Sequence, residues 1–254
     1  MLQLEGISRH FGGLPALDGV AFAVPRGRVT ALIGPNGAGK STLINCITGA
    51  DQPTGGTVLF RGQNITGLPA HRVSRLGISR TFQNLRVFPR LSVLNNVLCG
   101  LTGEGGRSMI MAMLRLPALR HRERLLRLRA MEALDRYQLS DKATWPAAIL
   151  AYGDRKRVEL ARATVSRPEL LLLDEPVAGL NADETAAVGG QLKRLRASGH
   201  TILLVEHDMT LVMEIADQVV VLDSGRCIAA GTPTEVRRNP LVLEAYLGQT
   251  EACA

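Results

Sequence analysis

The sequence predicts an α/β protein in which a buried, largely parallel sheet is flanked by helices, joined to an antiparallel β-subdomain and interrupted by an inserted helical lobe. Three observations carry this. "ELLLLDEP" and "HTILLVEHD" are continuous apolar runs ending in polar residues, as strands covered on both faces must be. Helical patterns separate them, so strand and helix alternate. Residues from about 90 to 165 hold no strand-like run and read as helices.

In chain order, "LQLEGISRHFGG" and "LDGVAFAVPRGR" alternate apolar and polar residues like antiparallel strands. Val29 to Ile33 is a β-branched and apolar strand, followed by a Gly-rich turn and a helix from about Lys40. "GGTVLFRGQNI" reads as a hairpin. "ADETAAVGGQLKRLRAS" is a helix with Asn181 or Asp183 as candidate N-cap. "DQVVVLDSGRCIAAG" is a terminal hairpin. The expected organisation is one domain: a core with its β-subdomain over 1–89 and 166–254, and a helical subdomain over 90–165.

With 254 residues, 46% of them hydrophobic, the chain can bury a sizeable core. No apolar stretch reaches the ~18 residues that span a bilayer, and "MLQLEGISRHFGG" is unlike a secretory signal. Cys46, Cys99, Cys227 and Cys253 lie far apart with no CxxC pair, which argues against a disulfide framework and fits a reducing cytosol. The net charge is +7, and of 30 basic residues only Lys40, Lys142, Lys156 and Lys193 are lysines. That balance suits nucleic acid, anionic headgroups or phosphorylated ligands. Aromatics at 4% disfavour base stacking, so no nucleic-acid partner is expected.

"GPNGAGKS", Gly34 to Ser41, has the spacing G-x-x-x-x-G-K-[ST] between a strand and a helix. Glycines let successive N–H groups turn inward onto phosphate oxygens, and the helix adds its positive end. Gly34, Asn36, Gly37, Ala38, Gly39, Lys40, Ser41 and Thr42 are the candidate nucleotide contacts. Lys40 is expected to reach the β- and γ-phosphates of ATP, and Ser41 to ligate Mg²⁺. Asp174 and Glu175 end an apolar strand, where open parallel sheets bind ligands. Asp174 is a candidate Mg²⁺ ligand, and Glu175 a candidate base for the attacking water.

With these motifs in order, the chain resembles an ABC-type ATPase, the nucleotide-binding subunit of ABC transporters, over nearly its full length. Phe11, the phosphate loop, Gln83 in "RTFQN", "LAYGD", "LLLLDEP", "AGLN" and His207 in "VEHD" follow the family's sequence. "RTFQNLRVFPRLSVLNNV" and "GTPTEVRRNPLVLEAYLG" look most like the Liv-type subgroup of branched-chain amino acid importers. The resemblance implies a P-loop NTPase (RecA-like) core, ATP hydrolysis coupled to transport, and ATP and Mg²⁺ as cofactors. It implies that Phe11 stacks on adenine, that Gln83 contacts Mg²⁺ or the attacking water, and that His207 bonds the γ-phosphate. Asn181 stands where the family more often has Asp.

"LAYGD" departs from the family pattern Leu-Ser-Gly-Gly-Gln at Ala151, Tyr152 and Asp154 while keeping Leu150 and Gly153. It is expected to read a partner's γ-phosphate through backbone donors of a helix beginning near Asp154, with Asp154 turning back to cap that helix. The implied partners are a second ATPase subunit, identical or related, two transmembrane permease subunits and, indirectly, a solute-binding protein. The implied place is the cytoplasmic face of the cell membrane. A urea, amide or lipid transporter ATPase is the rival within the family; Phe82 before the loop glutamine disfavours the lipid exporters. A soluble ABC ATPase outside transport is the rival of another class. Six arginines between Arg115 and Arg129 leave two readings open, a solvated helix face or a surface near anionic lipid. The Met-rich "MIMAMLRL" upstream is core or a permease-facing surface.

Overall fold

The computed structural model describes residues 1–81, 85–101 and 117–247, with side chains from 121 onward in the last stretch. The chain divides into two compact units, Met1–Arg80 with Glu169–Ala254, and Thr81–Pro168.

The first unit holds two sheets. In the antiparallel one, β1 (Leu2–Phe11) pairs with β2 (Leu14–Val24) and β4 (Gly55–Phe60), and β4 turns into β5 (Gln63–Asn64). The other has the order β10-β9-β3-β8-β7-β6. Here β3 (Val29–Ile33) lies between β8 (Thr201–Val205) and β9 (Gln218–Asp223), and β7 (Leu170–Asp174) lies beyond β8. All of these run parallel, and only β10 (Arg226–Gly231) reverses. Every residue of β3, β7 and β8 is buried: one face of the sheet packs against β1, β2 and β4 together with Leu43 and Ile44, and the other packs Ala31 and Ile33 against Val212, Val236 and Val242. Helices α1 (Lys40–Thr48) and α2 (Ala70–Arg75) follow β3 and β5. The parallel connections place Ile33, Asp174 and Val205 at strand ends facing the same way.

The edge strand β6 (Ile78–Arg80) is absent from the sequence reading. Three residues are too few to show a period, and pairing with β7 alone makes them a strand.

In the second unit, α3 (Val93–Leu98), α4 (Pro117–Arg136) and α5 (Tyr152–Thr164) pack on one another. The unit begins at Thr81 and ends at Pro168, wider than the 90–165 read from pattern, because the loop before α3 is tied into it. Fully buried Asn96 does the tying: its Oδ1 accepts from the Phe88 N–H at 2.8 Å and its Nδ2 donates to the Phe88 and Ser92 carbonyls, each at 3.0 Å. The remaining helices belong to the first unit: α6 (Ala182–Ala197), α7 (Met209–Ile215), α8 (Pro233–Arg237) and α9 (Pro240–Leu247). Asn181 is the N-cap of α6 and forms a reciprocal capping box with Glu184. Among the described residues no helix is long and apolar enough to cross a membrane.

Candidate functional site

The loop from Gly34 to Ser41 leaves the middle of the parallel sheet and runs into α1. Two of its glycines are sterically required. Gly34 has φ 147°, and a Cβ there would stand 2.0 Å from the Leu222 carbonyl oxygen. Gly39, the N-cap of α1, has φ 98°, and a Cβ would stand 2.6 Å from the Ala16 carbonyl oxygen. Asn36, Gly37 and Ser41 are exposed, Thr42 is half-buried and Ala38 is buried. The Ala38 N–H bonds the Pro35 carbonyl at 3.2 Å. The first-turn N–H groups of α1 have no acceptors inside the helix and open onto the loop.

Lys40 is buried and folds over its own loop. Its Nζ donates to the Gly34 carbonyl at 2.6 Å and the Pro35 carbonyl at 2.8 Å. These bonds use two of its three donors. Burial pushes the Lys40 ammonium below its ordinary value, and the nearby charges of Glu175 and Asp174 pull the other way. Lys40, Glu175 and Asp174 therefore share one electrostatic neighbourhood.

Asp174 closes β7. Its Oδ2 receives the Arg80 guanidinium at 2.9 Å, and Arg80 also donates to the Asn45 side chain at 2.7 Å. Glu175 follows in the left-handed region, φ 49°, with its N–H on the Val205 carbonyl at 2.9 Å. Its Oε1 lies 2.7 Å from Nε2 of His207, which follows β8 by two residues. One loop after β7 and one after β8 thus bring a carboxylate and an imidazole into contact across 32 positions of sequence. Phe11 ends β1 with its ring half exposed and the Arg9 guanidinium 4.5 Å from the ring centroid. Gln83 and Phe82 lie outside the described residues.

Glu206 and Arg80 were not singled out by sequence. Glu206 is 3% exposed and accepts N–H bonds from Val177 and His207, each at 3.1 Å. Arg80 is the last residue of the first of its unit's two segments. Nothing in "VEHD" marks Glu206 as buried, and nothing in "SRTFQN" marks Arg80 as the partner of Asp174.

The "LAYGD" residues belong to the other unit. Helix α5 begins at Tyr152 with Ala151 as an N-cap that makes no side-chain bond, two residues ahead of the expected start at Asp154. Ala151 and Tyr152 are exposed, and Gly153 and Asp154 are buried in the first turn. Asp154 does not cap the helix. Its carboxylate takes the Lys142 ammonium at 2.6 Å on Oδ2 and the Arg157 guanidinium on Oδ1. Two cations at bonding distance outcompete a first-turn N–H. Burial works to raise the Asp154 carboxyl, but Lys142 and Arg157 outweigh it and hold it below the ordinary carboxylate range. Its charge is therefore already neutralised by its own unit.

A phosphate loop on the central strand, with acidic and imidazole groups at neighbouring strand ends, defines a P-loop ATP-binding protein. The chain belongs to the ABC transporter family, which matches residues 17–178. A further match, described as branched-chain amino acid ATP-binding cassette transporter, covers residues 226–252. The chain is 42% identical over 250 residues to the high-affinity branched-chain amino acid transport ATP-binding protein BraF of Pseudomonas aeruginosa, covering 98% of each chain. It is likewise 42% identical to the counterpart LivG of Escherichia coli K12, over 98% of each chain. Among solved structures, the ADP conformation of an ATP-binding cassette of an ABC transporter superposes with TM-score 0.85 at 34% identity, covering 98% of both chains. A dimeric post-hydrolysis cassette bound to ADP and Pi superposes with TM-score 0.77 at 25% identity, covering 92% of this chain and 99% of the other.

Proposed function

We propose that this chain is the ATP-hydrolysing subunit of an importer of branched-chain amino acids, acting at the cytoplasmic face of a membrane. The observation that carries the catalytic part is the Glu175–His207 contact at 2.7 Å in the electrostatic neighbourhood of Lys40. The names of the relatives support the substrate class.

ATP binds with its phosphates in the Gly34–Ser41 loop, where the first-turn N–H groups of α1 and the Lys40 ammonium meet them. Lys40 exchanges its carbonyl partners for phosphate oxygens, and the returning negative charge favours its protonated form. Phe11 offers its exposed ring to the adenine. Ser41 and Asp174, with Gln83, supply hard oxygen ligands suited to Mg²⁺. Bound there, the ion neutralises charge on the β- and γ-phosphates. Glu175 takes the proton of the attacking water. His207 holds the Glu175 carboxylate through Nε2 and contacts the γ-phosphate when nucleotide is present.

The catalytic assembly is a dimer of this chain with an identical or related ATPase subunit. Gly153 and the first-turn donors of α5 in one copy face the γ-phosphate held by the other. Closure drives two permease subunits, which receive substrate from a solute-binding protein. The test is Glu175→Gln in the assembled transporter. ATP affinity should persist, turnover should fall by about 10²–10⁴-fold, and an ATP-bound dimer should accumulate. Near-normal phosphate release would remove Glu175 from the role of base.

A further inference from the structure

The two catalytic candidates of the first unit sit on separate loops, and a single side chain bridges those loops. Three consecutive residues at the end of β8 engage the chain leaving β7. The Val205 carbonyl accepts the Glu175 N–H at 2.9 Å. Glu206 Oε1 accepts the Val177 N–H at 3.1 Å. His207 Nε2 meets Glu175 Oε1 at 2.7 Å. The other oxygen of Glu206 turns back to accept the N–H of His207 itself, at 3.1 Å. One buried carboxylate thus holds the backbone on both sides of the Glu175–His207 contact.

We propose that Glu206 is a positioning residue for hydrolysis, fixing Glu175 and His207 relative to each other by holding Val177 and His207 through its two oxygens. This rests on the assignment of Glu175 as base and His207 as its partner. Glu206 touches neither phosphate nor water in this role. The loop it holds needs holding: Glu175 stands at φ 49°, a conformation L-residues keep only where their surroundings impose it. Val177 is also engaged through its carbonyl, which accepts the Leu180 N–H at 3.1 Å, so Glu206 anchors the turn that leads to Asn181. Burial pushes the Glu206 carboxyl above its ordinary value and the Glu175 charge adds to this, while the N–H groups of Val177, His207 and Asp208 oppose it. Two oxygens are required. A glutamine has one acceptor oxygen, and its NH₂ would face a backbone N–H on whichever loop the oxygen does not serve.

The experiment compares Glu206→Gln, Glu206→Asp, His207→Ala, Glu175→Gln and the double variant Glu206→Gln/His207→Ala. The readouts are steady-state ATPase of the assembled transporter, KM for ATP and thermal midpoint. Glu206→Gln should lower kcat tenfold or more, with KM changed by less than about threefold. In the His207→Ala background the same substitution should cost less than about twofold, because the pair it positions is already broken. Glu206→Asp keeps the charge and both acceptors on a shorter arm, and should lower kcat by an intermediate factor at unchanged KM. It also carries the test if the glutamine variant does not fold. Full kcat in Glu206→Gln or Glu206→Asp, or an equal loss with and without His207, would overturn the proposal. Full activity in both Glu175→Gln and His207→Ala would instead overturn the catalytic assignment on which it rests.

Discussion

Replacing Asp154 by asparagine tests whether this side chain is the structural anchor of the "LAYGD" stretch. The Asp154 side chain is 9% exposed and holds Lys142 at 2.6 Å and Arg157 on its other oxygen. A charge-assisted bond contributes about 1.5–3 kcal/mol nominally, and asparagine retains one neutral bond worth about 1 kcal/mol. The Lys142 and Arg157 side chains are 26% and 28% exposed, so both cations regain water when their anion is lost. The net cost is therefore about 1–3 kcal/mol, below the cost of stranding a fully buried charge. At roughly 2–4 °C per kcal/mol for a chain of this size, the midpoint should fall by about 2–12 °C near pH 7. The sign with pH follows from the lowered Asp154 carboxyl. Its stabilisation is present above the unfolded value of about 3.9 and is lost as pH falls through the folded value. The wild-type advantage should hold from about pH 5 to 8 and shrink below about pH 4. Scanning calorimetry of the two proteins across that range measures it. A midpoint unchanged within 1 °C at pH 7 would refute the anchor role.

Other expectations follow from the same geometry. Lys40→Ala should weaken ATP binding at every salt concentration, because it removes a buried donor rather than a screened surface charge; calorimetric titration checks this. Gly39→Ala should lower the thermal midpoint and abolish nucleotide binding, since its Cβ would stand 2.6 Å from the Ala16 carbonyl oxygen at a φ of 98°; an unchanged ATP affinity would count against the steric argument. Ala151→Ser should leave turnover unchanged or raise it modestly, because Ala151 is an exposed N-cap without a side-chain bond. Gly153→Asp should spare ATP binding yet prevent dimer closure, read by size-exclusion chromatography in the Glu175→Gln background; a closed dimer in that variant would exclude Gly153 from the composite site.

Asn181 shows how a departure from the family pattern is absorbed. Its side chain accepts the Glu184 N–H at 2.9 Å, and Glu184 returns a bond to the Asn181 N–H at 3.1 Å. An aspartate would cap the same helix, so this position keeps its structural role with or without the charge.

The amino-acid sequence alone determined the parallel core strands, the phosphate loop and the carboxylates at the end of β7, because each is written in consecutive residues. Five buried positions in a row force a central strand, and Gly-x-x-x-x-Gly-Lys-Ser carries its own backbone requirement. Period and spacing also located the terminal hairpin and narrowed the α6 cap to Asn181 or Asp183, of which the structure uses Asn181. Only the tertiary structure decided what depends on neighbours distant in sequence. Strand β6 exists because β7 offers it a ladder. Asp154 anchors rather than caps because Lys142, twelve residues away, reaches it first. Glu206 is a clamp because Val177, on another strand's exit, points an N–H at it across 29 positions. Local pattern encodes burial and backbone conformation, whereas the partner of a buried charge is set by which chain ends the sheet order places side by side.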